Sequence, residues 1–407
     1  MADHSTWKRP FAAIYTGQAF SLVSSGAAQF ALIWWITVRY GSGRALAMAG
    51  IFGLLPQVLL GPFVGVWVDR LRRKHVMIAA DALVALAGAA LAWAFFAGRA
   101  SLPAVYAALF ARALGSAFHM PALQATIPLL VPRDQITRAG GWGSMVLSGS
   151  SMLSPVLGAA WMAALPVGGI LLADVAGAAI AIATVAPLRL PELDIDRPRR
   201  HVLGDLADGL RALWRNRPLV RATLPILLAS LVYMPLGSLY PLMVFEAFGG
   251  TAWHNGLVEV LFAAGMMAAS ALIGAVGAGR RRFWAISAAI VAFGAATAAA
   301  GLLPAGGIWA FAALTFVMGA TGAGFSVLYT TYIQETTPPE NLGKVMALSM
   351  AMIGAAMPLG LLAAGPLADA IGTSRYFLYS GALMALTGLL CRAATARFDG
   401  TKGRNDA

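Results

Sequence analysis

Twelve apolar runs, each long enough to cross a bilayer as a helix, divide the chain. A span needs about twenty apolar residues. The runs fall at 11–36, 45–68, 76–97, 102–129, 142–164 and 167–188, then at 221–245, 255–277, 283–303, 308–333, 344–368 and 375–395. The pattern predicts an all-α integral membrane protein with twelve transmembrane helices. It reads as a six-helix bundle over 1–188, a linker over 189–217 and a second six-helix bundle over 218–407. Within the linker, Leu203 to Trp214 reads equally as a short amphipathic helix on the membrane surface or as a solvated connection. The first run, Phe11 to Ile36, is too long for a signal-peptide core and is read as a retained first helix.

Composition sharpens this picture. Of 407 residues 59% are hydrophobic and 11% charged, where soluble domains carry about 25% charge. The net charge of +12 does not point to nucleic acid, because the bases sit in short loops between apolar runs. Of the 29 lysines and arginines, 24 fall in segments that share one side of the membrane, four (Arg39, Arg44, Arg99, Arg375) fall on the other, and Arg112 lies inside a span. By the positive-inside rule both termini and the linker are expected in the cytoplasm. The single cysteine, Cys391, and the scattered histidines offer no metal site, and no cofactor is expected. A shift of 207 residues superposes Gly115, Phe118 and Pro132 on Gly322, Phe325 and Pro339, so the halves read as repeats. Two parallel repeats imply a substrate site at their interface and a rocking motion.

The connection between the second and third runs is compact and strongly basic: Gly65, Asp69, Arg70, Arg72, Arg73, Lys74 and His75. Gly61 and Gly65 are expected to let helix backbones approach closely. Gly-x-x-x-Asp-Arg-x-x-Arg-Lys resembles the signature loop of the major facilitator superfamily of secondary transporters, although Arg72 stands where that loop usually has glycine. The stretches Arg112–Leu123 and Thr126–Pro132, Ser154-Pro155, Ala173–Ala178 and Met77–Asp81 resemble the macrolide-efflux branch of its drug:proton antiporters. The resemblance is densest over residues 50–190. It implies the major facilitator fold and export driven by proton entry, at a bacterial inner membrane. Asp69 is expected to pair with a nearby base or with the amino end of helix eleven, near Gly343 to Met346, where the helix dipole favours an anion; by resemblance, the second contact is a latch.

Charges inside spans are expensive and usually functional. Arg112, about ten residues into helix four, matches the arginine of the superfamily's fourth-helix motif, credited with a role in proton transfer. Asp174 in helix six and Glu259 in helix eight are acids shielded enough to carry a proton, with Asp174 preferred. Helices four and six need not touch, so an Arg112–Asp174 pair is not implied. Asp81, one turn inside helix three, is expected to pair with the inner bases, and His119 to make a polar helix contact. No acid lies in helix one. In this fold helices one, four, seven and ten face the centre, which makes Gln18, Ser25, Gln29, Tyr233, Tyr240, Tyr329 and Gln334 candidates for a cavity. Aromatic and small polar groups suit a bulky, mostly apolar ligand.

The expected function is a proton-coupled exporter of a bulky amphipathic compound, acting as a monomer. The alternatives are a siderophore exporter, a lysophospholipid flippase of the same fold, or a membrane sensor that transports nothing. An enzyme is not expected: the chain has no Gly-x-Ser-x-Gly elbow, no Walker loop and no paired intramembrane carboxylates.

Overall fold

The computed structural model describes residues 7–188, 190, 210, 211, 213, 214, 216–277, 279 and 281–398. These are helical almost throughout, and no strand occurs among the described residues. The helices are α1 (Lys8–Tyr40), α2 (Gly43–Arg70), α3 (Arg73–Phe96), α4 (Leu102–Leu130), α5 (Ile136–Ala164), α6 (Val167–Val185), α7 (Arg217–Leu242), α8 (Ala252–Val276), α9 (Arg282–Gly301), α10 (Ile308–Thr336), α11 (Pro339–Ile371) and α12 (Thr373–Thr395).

Several helices run past the apolar runs that announce them. α5 starts at Ile136 and α11 at Pro339, whereas the runs start at 142 and 344. Their first turns carry Arg138 and Asn341, polar residues that still hydrogen-bond as helix where the backbone meets water. Connections are short. Leu71 and Arg72 alone join α2 to α3. Gly372 joins α11 to α12 with φ +86°, a conformation that suits glycine. α7 holds Pro225, Pro235 and Pro241, and a π-helical turn over Met243–Ala247 follows it. Of the linker, Leu210, Arg211, Leu213 and Trp214 are helical, with Leu213 buried and Trp214 exposed; the rest of the amphipathic segment lies outside the described residues.

Contacts divide the chain into two units, Met1–Tyr40 with Met48–Pro198, and Gly41–Ala47 with Arg199–Ala407. In the first, α1 packs on α5 and α6, and α3 packs on α4 and α6. In the second, α7 packs on α11 and α12, α9 on α10 and α12, and α8 on α10. Residues 41–47 group with the second unit because the Asp369 carboxylate caps the amino end of α2, accepting from Gly43 N, Arg44 N and Ser42 Oγ.

Small residues set the closest approaches, though not at Gly61. A Cβ on Gly61 would meet nothing within 4 Å, so no neighbour uses that gap. Tight contacts lie elsewhere, among them one between α8 and α10. A Cβ on Gly319 would stand 2.0 Å from the Phe262 carbonyl oxygen, and one on Gly265 would stand 2.1 Å from that of Phe316. Large apolar side chains such as Leu86, Trp93, Leu272 and Trp309 are exposed, as a lipid-facing surface requires. Eleven described helices are long and apolar enough to cross a membrane. α4 falls short of that composition because Arg112 and His119 interrupt its sequence.

Candidate functional site

The first unit encloses a charged cluster built from three helices. Arg112 on α4 and Asp174 on α6 are 7% and 0% exposed. The Arg112 Nη1 donates to Asp174 Oδ2, and Nη2 donates to the Ser25 carbonyl oxygen at 3.1 Å. Ser25 Oγ donates to Asp174 Oδ1 at 2.6 Å, and Ser24 Oγ lies 3.4 Å from the same oxygen. Two sequence-stretch choices make room. A Cβ on Gly177, one turn along α6, would overlap Ser24 Oγ at 2.1 Å, so α1 and α6 touch there only because that residue is glycine. Gly88 on α3 leaves space beside the carboxylate, since a Cβ there would lie 3.8 Å from Asp174 Oδ2.

The pair is net neutral and hydrogen-bonded at both ends, which is how a buried charge becomes tolerable. Arg112 and Asp174 were expected as separate candidates with no implied contact; the structure joins them directly, because α1 lies against both α4 and α6 and its two serines fill the gap.

Asp81 is also placed differently from expectation. It is 7% exposed and faces His119 on α4, with Nε2 3.6 Å from Oδ2. Two of the bases at the start of α3 bind carbonyl oxygens. Arg73 Nη1 donates to the Ala125 carbonyl oxygen at 3.0 Å. Lys74 Nζ donates to the Ala186 and Leu188 carbonyl oxygens at the carboxyl end of α6, where a cation meets the negative end of the helix dipole. These two loop residues therefore pin α3 to α4 and α6. The side chains of Asp69 and Arg70, and Gly65, lie outside the described side chains, and with them the latch expected at Asp69.

The cavity candidates separate into two groups. Gln18 is 3% exposed on α1, and Ser25 holds Asp174 as described; Gln29 is half-buried and Gln334 exposed. In the second unit, Tyr240 is 3% exposed among Phe262, Phe311 and Phe377, and its hydroxyl donates to Met318 Sδ at 3.4 Å. Tyr329 is 2% exposed, with its hydroxyl 2.9 Å from Thr223 Oγ1. Half-buried Tyr233 packs edge-on against Phe293 and Phe325. These three tyrosines thus pack in the core of their unit. Glu259 is half-buried on α8 and accepts from Asn255 Nδ2 at 2.9 Å. No group of His, Cys, Asp and Glu able to hold a metal ion occurs among the described residues.

Comparison with known proteins agrees with this architecture. The family model described as Major Facilitator Superfamily matches residues 14–279 and 226–405. Macrolide efflux protein A of Streptococcus pyogenes is 36% identical over 394 residues, covering 96% of this chain and 97% of that protein. The multidrug efflux pump Tap of Mycobacterium tuberculosis is 27% identical over 389 residues, covering 90% of this chain and 88% of the pump. Among solved structures, the nucleoside transporter NupG superposes with a TM-score of 0.72 at 13% identity, covering 95% of this chain and 98% of that one, a likeness of fold alone. The chain belongs to the Major Facilitator Superfamily, a family of transporters rather than enzymes, and within it to the macrolide-efflux type.

Proposed function

We propose that the protein is a proton-coupled exporter of a bulky, mostly apolar amphipathic compound of the macrolide class, working by alternating access in a bacterial inner membrane with both termini in the cytoplasm. The observation that carries the coupling is the fully buried Asp174 held by Arg112 and Ser25. A guanidinium stays charged throughout the working pH range. A proton on Asp174 therefore converts a neutral ion pair into a lone buried cation. That state is poor for a closed bundle, so proton occupancy is tied to how tightly α1, α4 and α6 pack. Proton binding and bundle geometry then exchange free energy, which is what coupling requires.

Efflux of a macrolide fits the 36% identity to macrolide efflux protein A over 96% of the chain. The test uses purified protein in proteoliposomes with erythromycin as the probe. Asp174→Asn is expected to abolish uptake driven by an imposed pH gradient while retaining exchange at equal pH. Glu259→Gln, measured in parallel, is expected to keep gradient-driven uptake. Full gradient-driven transport by Asp174→Asn would reject the reading.

A further inference from the structure

A second buried acid–base pair lies in the same unit and has no part in the Asp174 cluster. Asp81 and His119 are each 7% exposed. Their facing atoms, Oδ2 and Nε2, are 3.6 Å apart and have no other hydrogen-bond partner among the described residues. A buried polar atom left unsatisfied in this way is uncommon. The separation is beyond a hydrogen bond as it stands, and a closure of about half an ångström brings the two atoms within reach of one shared proton.

The pair stands in register with the first. His119 follows Arg112 by seven residues, two turns along the buried face of α4, or about 10 Å. Asp81 precedes Gly88, the residue beside Asp174, by the same two turns on α3. Gly115, between the two pairs, lets the helices close: a Cβ there would stand 2.9 Å from the Ala80 carbonyl oxygen. Among the described residues the pair has few electrostatic neighbours. α6 contributes Asp174 and α3–α4 contribute Arg112, both already paired. Toward the inner end, Arg73 and Lys74 are bound to carbonyl oxygens and His75 is exposed. On α1, Lys8 and Arg9 are exposed and Tyr15 is half-buried; on α5, Arg138 is exposed.

We infer that Asp81 and His119 form a second proton-binding site, coupled to Asp174 through the charge of Arg112. The inference rests on the reading that Asp174 takes up a proton. With one proton between carboxylate and imidazole the pair is neutral; after release to water it carries a charge of −1. When Asp174 is ionised, it neutralises Arg112 and the second site feels no net field. When Asp174 is protonated, Arg112 becomes an uncompensated cation about 10 Å from the second site and favours its anionic form. Loading the first site thus drives a proton off the second, which lies nearer the end marked by Arg73 and Lys74. The proton leaves as a hydrated ion, and no direct transfer between the sites is needed.

The experiment is an infrared pH titration of the full-length protein in lipid nanodiscs, following the carbonyl stretch of protonated carboxyl groups. No transport substrate is involved, so the result is independent of the erythromycin assay. The wild type is expected to show a pH-dependent carboxyl component that Asp81→Asn removes and Asp81→Glu moves in frequency while keeping the carboxyl. His119→Gln is expected to change its midpoint. Asp174→Asn, which fixes the first site in its uncharged form, should move the midpoint of the Asp81 component. Adding Arg112→Gln should return it. A carboxyl component unaffected by both Asp81 variants would overturn the inference and leave the Asp174 reading standing. A midpoint that ignores Asp174→Asn would overturn the coupling.

Discussion

The two units repeat the same order of helices and fill equivalent places with opposite chemistry. α4 begins at Leu102 and α10 at Ile308, 206 residues apart, and α6 and α12 are offset equally, at Val167 and Thr373. Counted from the helix starts, one residue off the 207-residue shift that matches Phe118 to Phe325, Arg112 falls opposite Met318, Asp174 opposite Ser380 and His119 opposite Phe325. α3 and α9, which begin at Arg73 and Arg282, set Asp81 against Ile290. All four counterparts are buried, so burial is retained while the charges are gone. Where Arg112 meets a carboxylate, Met318 meets the Tyr240 hydroxyl. The difference teaches that the bundle does not need charges at these places to fold. In the first unit they are an added burden, and a burden of several kcal/mol implies a use.

The most severe test of the comparison transplants one unit's residues into the other. Arg112→Met alone strands a buried carboxylate and is expected to destabilise the first unit by about 3–5 kcal/mol. Arg112→Met with Asp174→Ser, the second unit's own choice, should recover most of that in chemical denaturation of the purified protein. The double variant should still fail to respond to a pH gradient. If the single and double variants unfold alike, the pair is not what holds α4 to α6.

The converse exchange should be somewhat milder. Met318→Arg places an unpaired cation in an apolar bundle, which costs about 2.5–3.5 kcal/mol on insertion scales. Adding Ser380→Asp should return part of that loss if the two places are truly equivalent. No rescue in thermal unfolding would show that the offset of 206 does not bring them together.

Two smaller substitutions separate used glycines from idle ones. Gly319→Ala forces a methyl against the Phe262 carbonyl and is expected to lower stability by about 1–3 kcal/mol. Gly61→Ala, in open space, should stay within about 0.5 kcal/mol of the wild type. Between those two, Tyr329→Phe leaves Thr223 Oγ1 with only its bond to the Leu219 carbonyl oxygen, an effect of about 1 kcal/mol. The melting temperature should fall most for Gly319→Ala, less for Tyr329→Phe and least for Gly61→Ala.

The fold was legible because membrane spans are written in local composition: long apolar runs, short basic connections and a repeat near 207 residues. Arg112 and Asp174 were legible one at a time, since a charge inside an apolar run announces itself. Their pairing was not, because sequence spacing says nothing about which helices touch; the signal lay in Gly177 and in Ser24-Ser25, whose meaning depends on α1 crossing α6. Asp81 was assigned to the nearest bases along the chain, yet a lysine or arginine at a helix start reaches the carbonyls of neighbouring helix ends first. His119 gave no sign of being its partner. Tyr240 and Tyr329 look like cavity residues in sequence because a tyrosine's ring and hydroxyl suit a ligand as well as they suit a core.

The composition of α4 has a consequence for how the chain is made. Its arginine emerges from the ribosome 62 residues ahead of the aspartate that neutralises it. At 5–20 residues per second that interval lasts between roughly 3 and 12 s. Throughout it α4 is a poor tenant of lipid alone, so it must remain beside the insertion machinery, or lean on α1 and α3, until α6 arrives. The ion pair that joins α4 to α6 in the finished molecule thereby sets the order of events in its birth: the fourth helix is released by the sixth.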